Sequence, residues 1–199
     1  MDADLKSELR LRALAARAQG GDDAALTRNL REVLKPHAGK VLAGYWPMRG
    51  EADPRPAMDA HAGPVCLPVV TGPARPLVFR RHDGRLEGGT FGTSHPPEDA
   101  PVLVPQVLIV PLAGFDLVGN RLGYGGGYYD RTFAALPDAH RIGFAYAGQA
   151  VDHLDLQLAQ RVEIARAADA LVEHQARVHV GQIILGDQRR HVQLDVGTT

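Results

Sequence analysis

The chain has 199 residues, enough for one domain with a sizeable core, and a formal net charge of −1. So close a balance of charge excludes a general binder of nucleic acid or of anionic membrane surfaces, which would carry a marked basic excess. The single cysteine, Cys66, excludes an intrachain disulfide; no apolar run approaches a membrane span, and no apolar stretch follows the charged N-terminus. A soluble, cytoplasmic protein is expected.

Residues 3–18 read as a helix rich in Ala, Leu and Arg that stops before Gly20-Gly21. Lys6 and Arg10 lie four apart on one face of it, by spacing alone a solvated basic stripe. A second helix is expected over 23–37, with Asp22 or Asp23 as N-cap, a stripe of Leu26, Leu30, Val33 and Leu34, and Gly39 closing it. Residues 41–46 read as a strand that enters a loop at Pro47. Glu51 follows just past the C-terminal end of this strand, where open parallel sheets place ligands. Taken alone, Trp46 is core filler and Glu51 a solvated loop carboxylate. The Pro-rich stretch 54–64 holds a short helix, 57–62, before a strand at 65–70 in which Cys66 reads as a buried, unreactive thiol. Another strand, 77–80, leads to a turn at Asp83-Gly84 that opens a hairpin-like excursion.

The apolar run Val107 to Leu112 reads as a buried parallel strand. Five glycines fall between Gly119 and Gly127, and a helical pattern over 128–136 comes straight after. A strand, a glycine-dense loop and a helix start bring bare backbone N–H groups up to phosphate oxygens. Arg121 and Arg131 bracket the loop with fixed positive charge, and Asp130 can hold a divalent cation or cap the helix. No Lys-Ser or Lys-Thr follows the glycines, so the loop is not a Walker A motif. Glycines with aromatics also make ordinary tight turns, with Tyr128 and Tyr129 as half-buried helix residues, and the loop alone leaves both readings open.

Strands follow at 141–146 and 170–172. The alternation of strands and helices predicts a three-layer α/β fold with a largely parallel central sheet. Residues 1–175 form the expected domain and 176–199 an appendage, strand-like over 178–185. His174, His179 and His191 are too scattered to propose a metal site.

Residues 121–131, Arg-Leu-Gly-Tyr-Gly-Gly-Gly-Tyr-Tyr-Asp-Arg, are preceded by Pro-x-x-x-Phe-Asp at Pro111, Phe115 and Asp116. The whole pattern resembles the signature of the 5-formyltetrahydrofolate cyclo-ligases, also called 5,10-methenyltetrahydrofolate synthetases. The resemblance implies a Rossmann-like variant of the α/β fold and a monomer whose partners are ATP and 5-formyltetrahydrofolate. It implies a ligase of folate-dependent one-carbon metabolism that forms 5,10-methenyltetrahydrofolate, ADP and phosphate. Lys6, Arg10, Arg121, Leu122, Gly123, Tyr124, Gly125, Gly126, Gly127, Tyr128 and Tyr129 would then bind ATP, with Arg121 catalytic. Trp46, Glu51, Tyr124 and Tyr128 would contact the folate, and Asp130 would hold Mg²⁺. Phe79 and the segment Gly88 to Gly92 would cover the pterin.

The sequence departs from the family pattern in two places. His95 stands where members carry a glutamate. Ile164 and Ala165 stand where members carry His-Asp, the aspartate being a second metal ligand, so Glu163 or Asp155 becomes the candidate replacement. The lost carboxylate and the extra tail keep an alternative open, a non-catalytic nucleotide- or folate-binding relative of the same fold.

Overall fold

The computed structural model describes residues 3–151, 154 and 182–184. Helix α1 covers Ala3–Arg17. Helix α2 (Asp23–Leu34) starts on Asp22, whose carboxylate accepts the Ala25 N–H at 2.8 Å, and buries Leu26, Leu30 and Leu34 at four-residue spacing. The expected run to residue 37 is instead a separate 3-10 turn, Lys35–His37, because Pro36 has no N–H to continue the α-helical ladder.

Strand β1 is only Leu42–Ala43, shorter than the expected 41–46. Gly44 still donates to the Cys66 carbonyl, but the Tyr45 hydroxyl then bonds the Ala52 carbonyl at 2.6 Å, and this closes residues 45–52 into a loop off the sheet. Helix α3 (Arg55–Asp59) begins two residues before the expected 57–62, since Pro56 suits a first helical turn and the Asp53 carboxylate takes the Arg55 N–H. Strand β2 (Val65–Val69) pairs antiparallel with β3 (Val78–Arg81).

The excursion beyond β3 is present, but its hairpin turns elsewhere than at Asp83-Gly84. Arg85 occupies the Asp83 carboxylate, and the short strands β4 (Glu87–Gly88) and β5 (Ser94–His95) pair around residues 89–93. The chain then returns beside β3 at Val102.

Strand β6 (Val107–Pro111) is buried at all five positions. The two-residue strands β7 (Gly114–Phe115) and β8 (Arg121–Leu122) pair antiparallel and carry the glycine loop into α4 (Tyr128–Ala135). Strand β9 (His140–Phe144) follows, and β10 (Gln182–Ile184), inside the stretch set apart as an appendage, pairs parallel with β9. The expected strand at 170–172, and Asp155, Glu163, Ile164, Ala165, His174, His179 and His191, lie outside the described residues.

The main sheet runs β10-β9-β6-β1-β2-β3, parallel throughout except at the β2–β3 edge. Neighbouring residues of one strand face opposite layers, as period-two geometry requires. Leu42, Leu67, Val107 and Ile109 pack with the α2 leucines and with Met58 of α3. Ala43, Cys66, Leu108 and Val110 pack on the other face with Phe115 and with Phe133 of α4. Three layers result, as expected from the alternation. Cys66 is wholly buried, and burial pushes its thiol up to about 12, so it is an inert core residue.

The order of the strands places the site. From β1 the chain crosses to β2 on one side, whereas β6, on the other side of β1, leads on to β9. The carboxyl ends of β1 and β6 therefore flank a topological switch point, where the two connections diverge and leave a crevice.

Candidate active site

Two connections wall this crevice. After β1, Met48 to Glu51 form a tight turn in which the Glu51 N–H bonds the Met48 carbonyl at 3.0 Å. Arg49 (φ 51°) and Gly50 (φ 76°) take the left-handed conformation at its two central positions, a primed turn. The Glu51 side chain folds back so that Oε2 accepts the Met48 N–H at 3.1 Å. That fold-back leaves Oε1 directed across the cleft.

After β6, Asp116 shapes the loop. Its carboxylate accepts the N–H groups of Val118, Asn120 and Leu154 and the Asn120 side-chain amide, at 2.7–3.1 Å. This turn feeds β8 and then the glycines. Among the described residues, none of the backbone N–H groups of Gly123 to Gly127 has a protein acceptor. Gly127 (φ +66°) is the N-cap of α4 and has no side chain to cap it. The orphan donors of the first helical turn thus join the loop amides along the cleft wall, where they concentrate positive potential.

The cleft between these walls has a volume of about 200 Å³. Its floor and sides bring together Trp46, Glu51, Arg121, Gly123, Tyr124, Gly125, Gly126, Gly127, Tyr128, Tyr129 and Asp130. A second cleft of about 350 Å³ adjoins it across Tyr124, Tyr128 and Glu51 and is lined by Arg17 at the end of α1 and by Arg49 of the turn after β1. Tyr124 stands between the two.

Burial pushes the Glu51 carboxyl above its usual range, against hydrogen bonds from Tyr124 and the Met48 N–H and the nearby charges of Arg17 and Arg49. Burial also raises the Tyr124 and Tyr129 phenols, so both are neutral donors at physiological pH. The Tyr129 hydroxyl is buried and has no partner among the described residues. Arg121 is 4% exposed, lies over the Tyr129 and Phe133 rings and is ion-paired with Asp130. Its charge is therefore fixed at the cleft floor rather than free to swing.

A family model described as the 5-formyltetrahydrofolate cyclo-ligase family matches residues 3–162. The chain belongs to that family. A 5-formyltetrahydrofolate cyclo-ligase of Haemophilus influenzae is 30% identical over 164 residues, which span 75% of this chain and 88% of the relative. The NMR structure of the Aquifex aeolicus 5,10-methenyltetrahydrofolate synthetase superposes with a TM-score of 0.65 at 25% identity, covering 98% of this chain and all of that one. A 5,10-methenyltetrahydrofolate synthetase of Mycoplasma pneumoniae shares the fold, with a TM-score of 0.63 at 22% identity over 92% of this chain and 98% of that one.

Three of the residues expected to bind ATP lie outside the main cleft. The Leu122 side chain is buried with Leu9 and Leu154. Arg10 sends Nε to the Gly123 carbonyl at 2.9 Å, which ties α1 to the glycine loop, and Lys6 lies one turn earlier on the same helix. Trp46 lies edge-on to His82, with the Arg55 guanidinium over its ring. His95 bonds the Pro96 carbonyl through Nδ1 and pairs with Glu87 in the β4–β5 ladder.

Arg17 and Arg49 were not singled out from the sequence. For Arg17 a signal existed: Lys6, Arg10 and Arg17 follow an i, i+4, i+11 spacing that keeps all three on one helical face. Arg49 carried none, because its place depends on a turn conformation that its residue type disfavours.

Proposed function

We propose that this chain catalyses the ATP-dependent cyclisation of 5-formyltetrahydrofolate to 5,10-methenyltetrahydrofolate, releasing ADP and phosphate. The observation that carries this reading is the row of N–H groups from Gly123 to Gly127 without acceptors among the described residues, at the uncapped start of α4 in a loop that lines a cleft walled by Trp46 and Glu51. Membership of the cyclo-ligase family supports it.

Phosphoryl transfer needs little covalent help from a protein; it needs positioning and neutralisation of charge. The loop amides and the α4 N-terminus hold the triphosphate, Lys6 and Arg10 approach from α1, and Arg121 adds fixed charge below. Trp46 offers a ring face to the pterin, Glu51 an acceptor for its N–H groups, and Tyr124 and Tyr128 stand between the two substrates. The γ-phosphoryl passes to the formyl oxygen and turns a poor leaving group into a good one. N10 then attacks the activated carbon, loses its proton, and phosphate departs to leave the methenyl bridge.

Asp130 is 38% exposed on the cleft wall and gives one carboxylate oxygen to Arg121. It fits as a single oxygen ligand for Mg²⁺, an ion that commonly completes its shell with nucleotide phosphates and water. No set of three His, Cys, Asp or Glu able to hold a metal exists among the described residues, so the nucleotide would bring most of the ligands. When bound, the ion neutralises charge on the phosphates.

The test is direct. Purified protein with 5-formyltetrahydrofolate, ATP and Mg²⁺ should develop the near-ultraviolet band of the methenyl product, with one ADP and one phosphate per product. Folate binding without that band would point to the non-catalytic alternative.

A further inference from the structure

Arg17 has no part in the chemistry above, yet it is only 7% exposed and ends α1 against the cleft. Its Nη1 donates to the Tyr124 hydroxyl at 2.6 Å and its Nη2 to the Arg49 carbonyl at 2.8 Å. The guanidinium also lies 5.6 Å from the centroid of the Tyr124 ring.

These contacts have a direction. A guanidinium only donates, so the Tyr124 oxygen receives that bond on a lone pair and keeps its one proton for another acceptor. Two acceptors are near: Glu51 Oε1 at 2.6 Å and the Leu112 carbonyl at 3.3 Å. The shorter, charge-assisted bond to the carboxylate wins. The order is therefore Arg17 to Tyr124 to Glu51, and each bond polarises the next. With the Met48 N–H on its other oxygen, Glu51 is held at both ends while it keeps lone pairs for a third group. Arg17 from α1, Arg49 from the turn, Tyr45 after β1, and Tyr124 and Tyr129 from the loop and α4 are the titratable or charged groups around it.

We propose that Arg17 is a positioning residue for the folate substrate: acting through the Tyr124 hydroxyl, it keeps the Glu51 carboxylate charged and aimed across the cleft. The role rests on the cyclo-ligase reading, in which Glu51 accepts N–H groups of the pterin. Burial works against a charged Glu51, and the relay offsets that burial from 34 residues earlier in the chain. It also joins the end of α1, the glycine loop and the turn after β1 at a single oxygen atom.

The experiment is steady-state kinetics against pH for the wild type, Tyr124→Phe, Arg17→Gln, Arg17→Lys and the Arg17→Gln/Tyr124→Phe double variant. Tyr124→Phe removes only a hydroxyl from a residue that is 46% exposed, so it tests the relay without risk to the fold. In Tyr124→Phe and Arg17→Gln, KM for 5-formyltetrahydrofolate at neutral pH should rise about tenfold, and in Arg17→Gln KM for ATP should stay unchanged. The acid limb of kcat/KM should move to higher pH, because Glu51 loses the donor that favours its charged form. Arg17→Lys should recover part of the loss, and the double variant should be no worse than the worse single one.

An unmoved acid limb in folded variants, additive losses, or a rise confined to KM for ATP would each overturn the role of Arg17 while leaving the activity standing. A wild-type protein without turnover would instead remove the cyclo-ligase reading, and this role with it.

Discussion

Burial raises the Glu51 carboxyl in the folded chain, and the sign of that shift decides what a substitution does to stability. Between the unfolded carboxylate value, about 4.3, and the higher folded value, the native state binds more protons than the unfolded one. Stability attached to this group is thus complete at acid pH and is lost as pH rises through the folded value. At neutral pH the charged carboxylate is a cost that the fold carries for its chemistry. Glu51→Gln removes the charge and keeps an oxygen that can accept the Met48 N–H. It should raise the Tm of the ligand-free protein at pH 7, with the gain shrinking toward pH 4.5, while turnover falls sharply. Thermal denaturation at the two pH values checks this, and a lower Tm at pH 7 would mean that the Tyr124 and Met48 bonds outweigh burial. Cys66 is the contrasting case: its burial was legible in the apolar run around it, and its raised thiol has no part in the site. The link from Tyr124 to Glu51, across 73 residues of sequence, was not legible, because no periodicity encodes a contact between two loops.

At the scale of elements, what could be read was whatever repeats. The leucine stripe of α2 and the five buried residues of β6 have strong periods or runs, and both elements fall where their patterns put them. Strands of two residues, such as β4, β5, β7 and β8, are too short to show alternation and emerge only from tertiary pairing. Proline moved two boundaries: it ended α2 early and started α3 early. The junction of the glycine loop with α4 was visible as composition, and its geometry now makes it testable. Gly127 has a positive φ, and a Cβ there would lie 2.8 Å from Arg131 Nη1, the far end of a side chain that can move. Gly127→Ala should therefore cost about 1 kcal/mol through backbone strain, a Tm lower by about 2–4 °C. Its effect on KM for ATP should be larger, on the order of tenfold, because the strained residue sets the direction of the α4 N-terminus. Gly125 also has a positive φ, but a Cβ there meets open space, so Gly125→Ala isolates the strain from the crowding.

At the scale of the whole molecule, the site is an intersection of segments far apart in sequence. Arg17 closes the first helix, residues 45–52 leave the first strand, and residues 121–131 follow the central one. The sheet order brings the last two together at the switch point, and the packing of α1 on β7 and on the 3-10 turn Ala147–Gln149 brings in the first. That order could not be read from the sequence, which predicts strands but not which strand lies beside which. A ligand that spans such an intersection ties its parts together and should stabilise the whole domain. ATP with Mg²⁺ at about 100 times its Kd stabilises the folded state by about 2.7 kcal/mol, which for a chain of this size raises Tm by roughly 5–10 °C. The shift should grow with ATP concentration and, at the same ATP concentration, be about halved in Gly127→Ala, since a tenfold weaker affinity leaves about 1.4 of the 2.7 kcal/mol, whereas the shift produced by 5-formyltetrahydrofolate should persist unchanged in that variant. A folate shift that fell together with the ATP shift would mean that the loop holds both substrates rather than chiefly the nucleotide. An ATP shift that survived intact would place the triphosphate away from the α4 N-terminus.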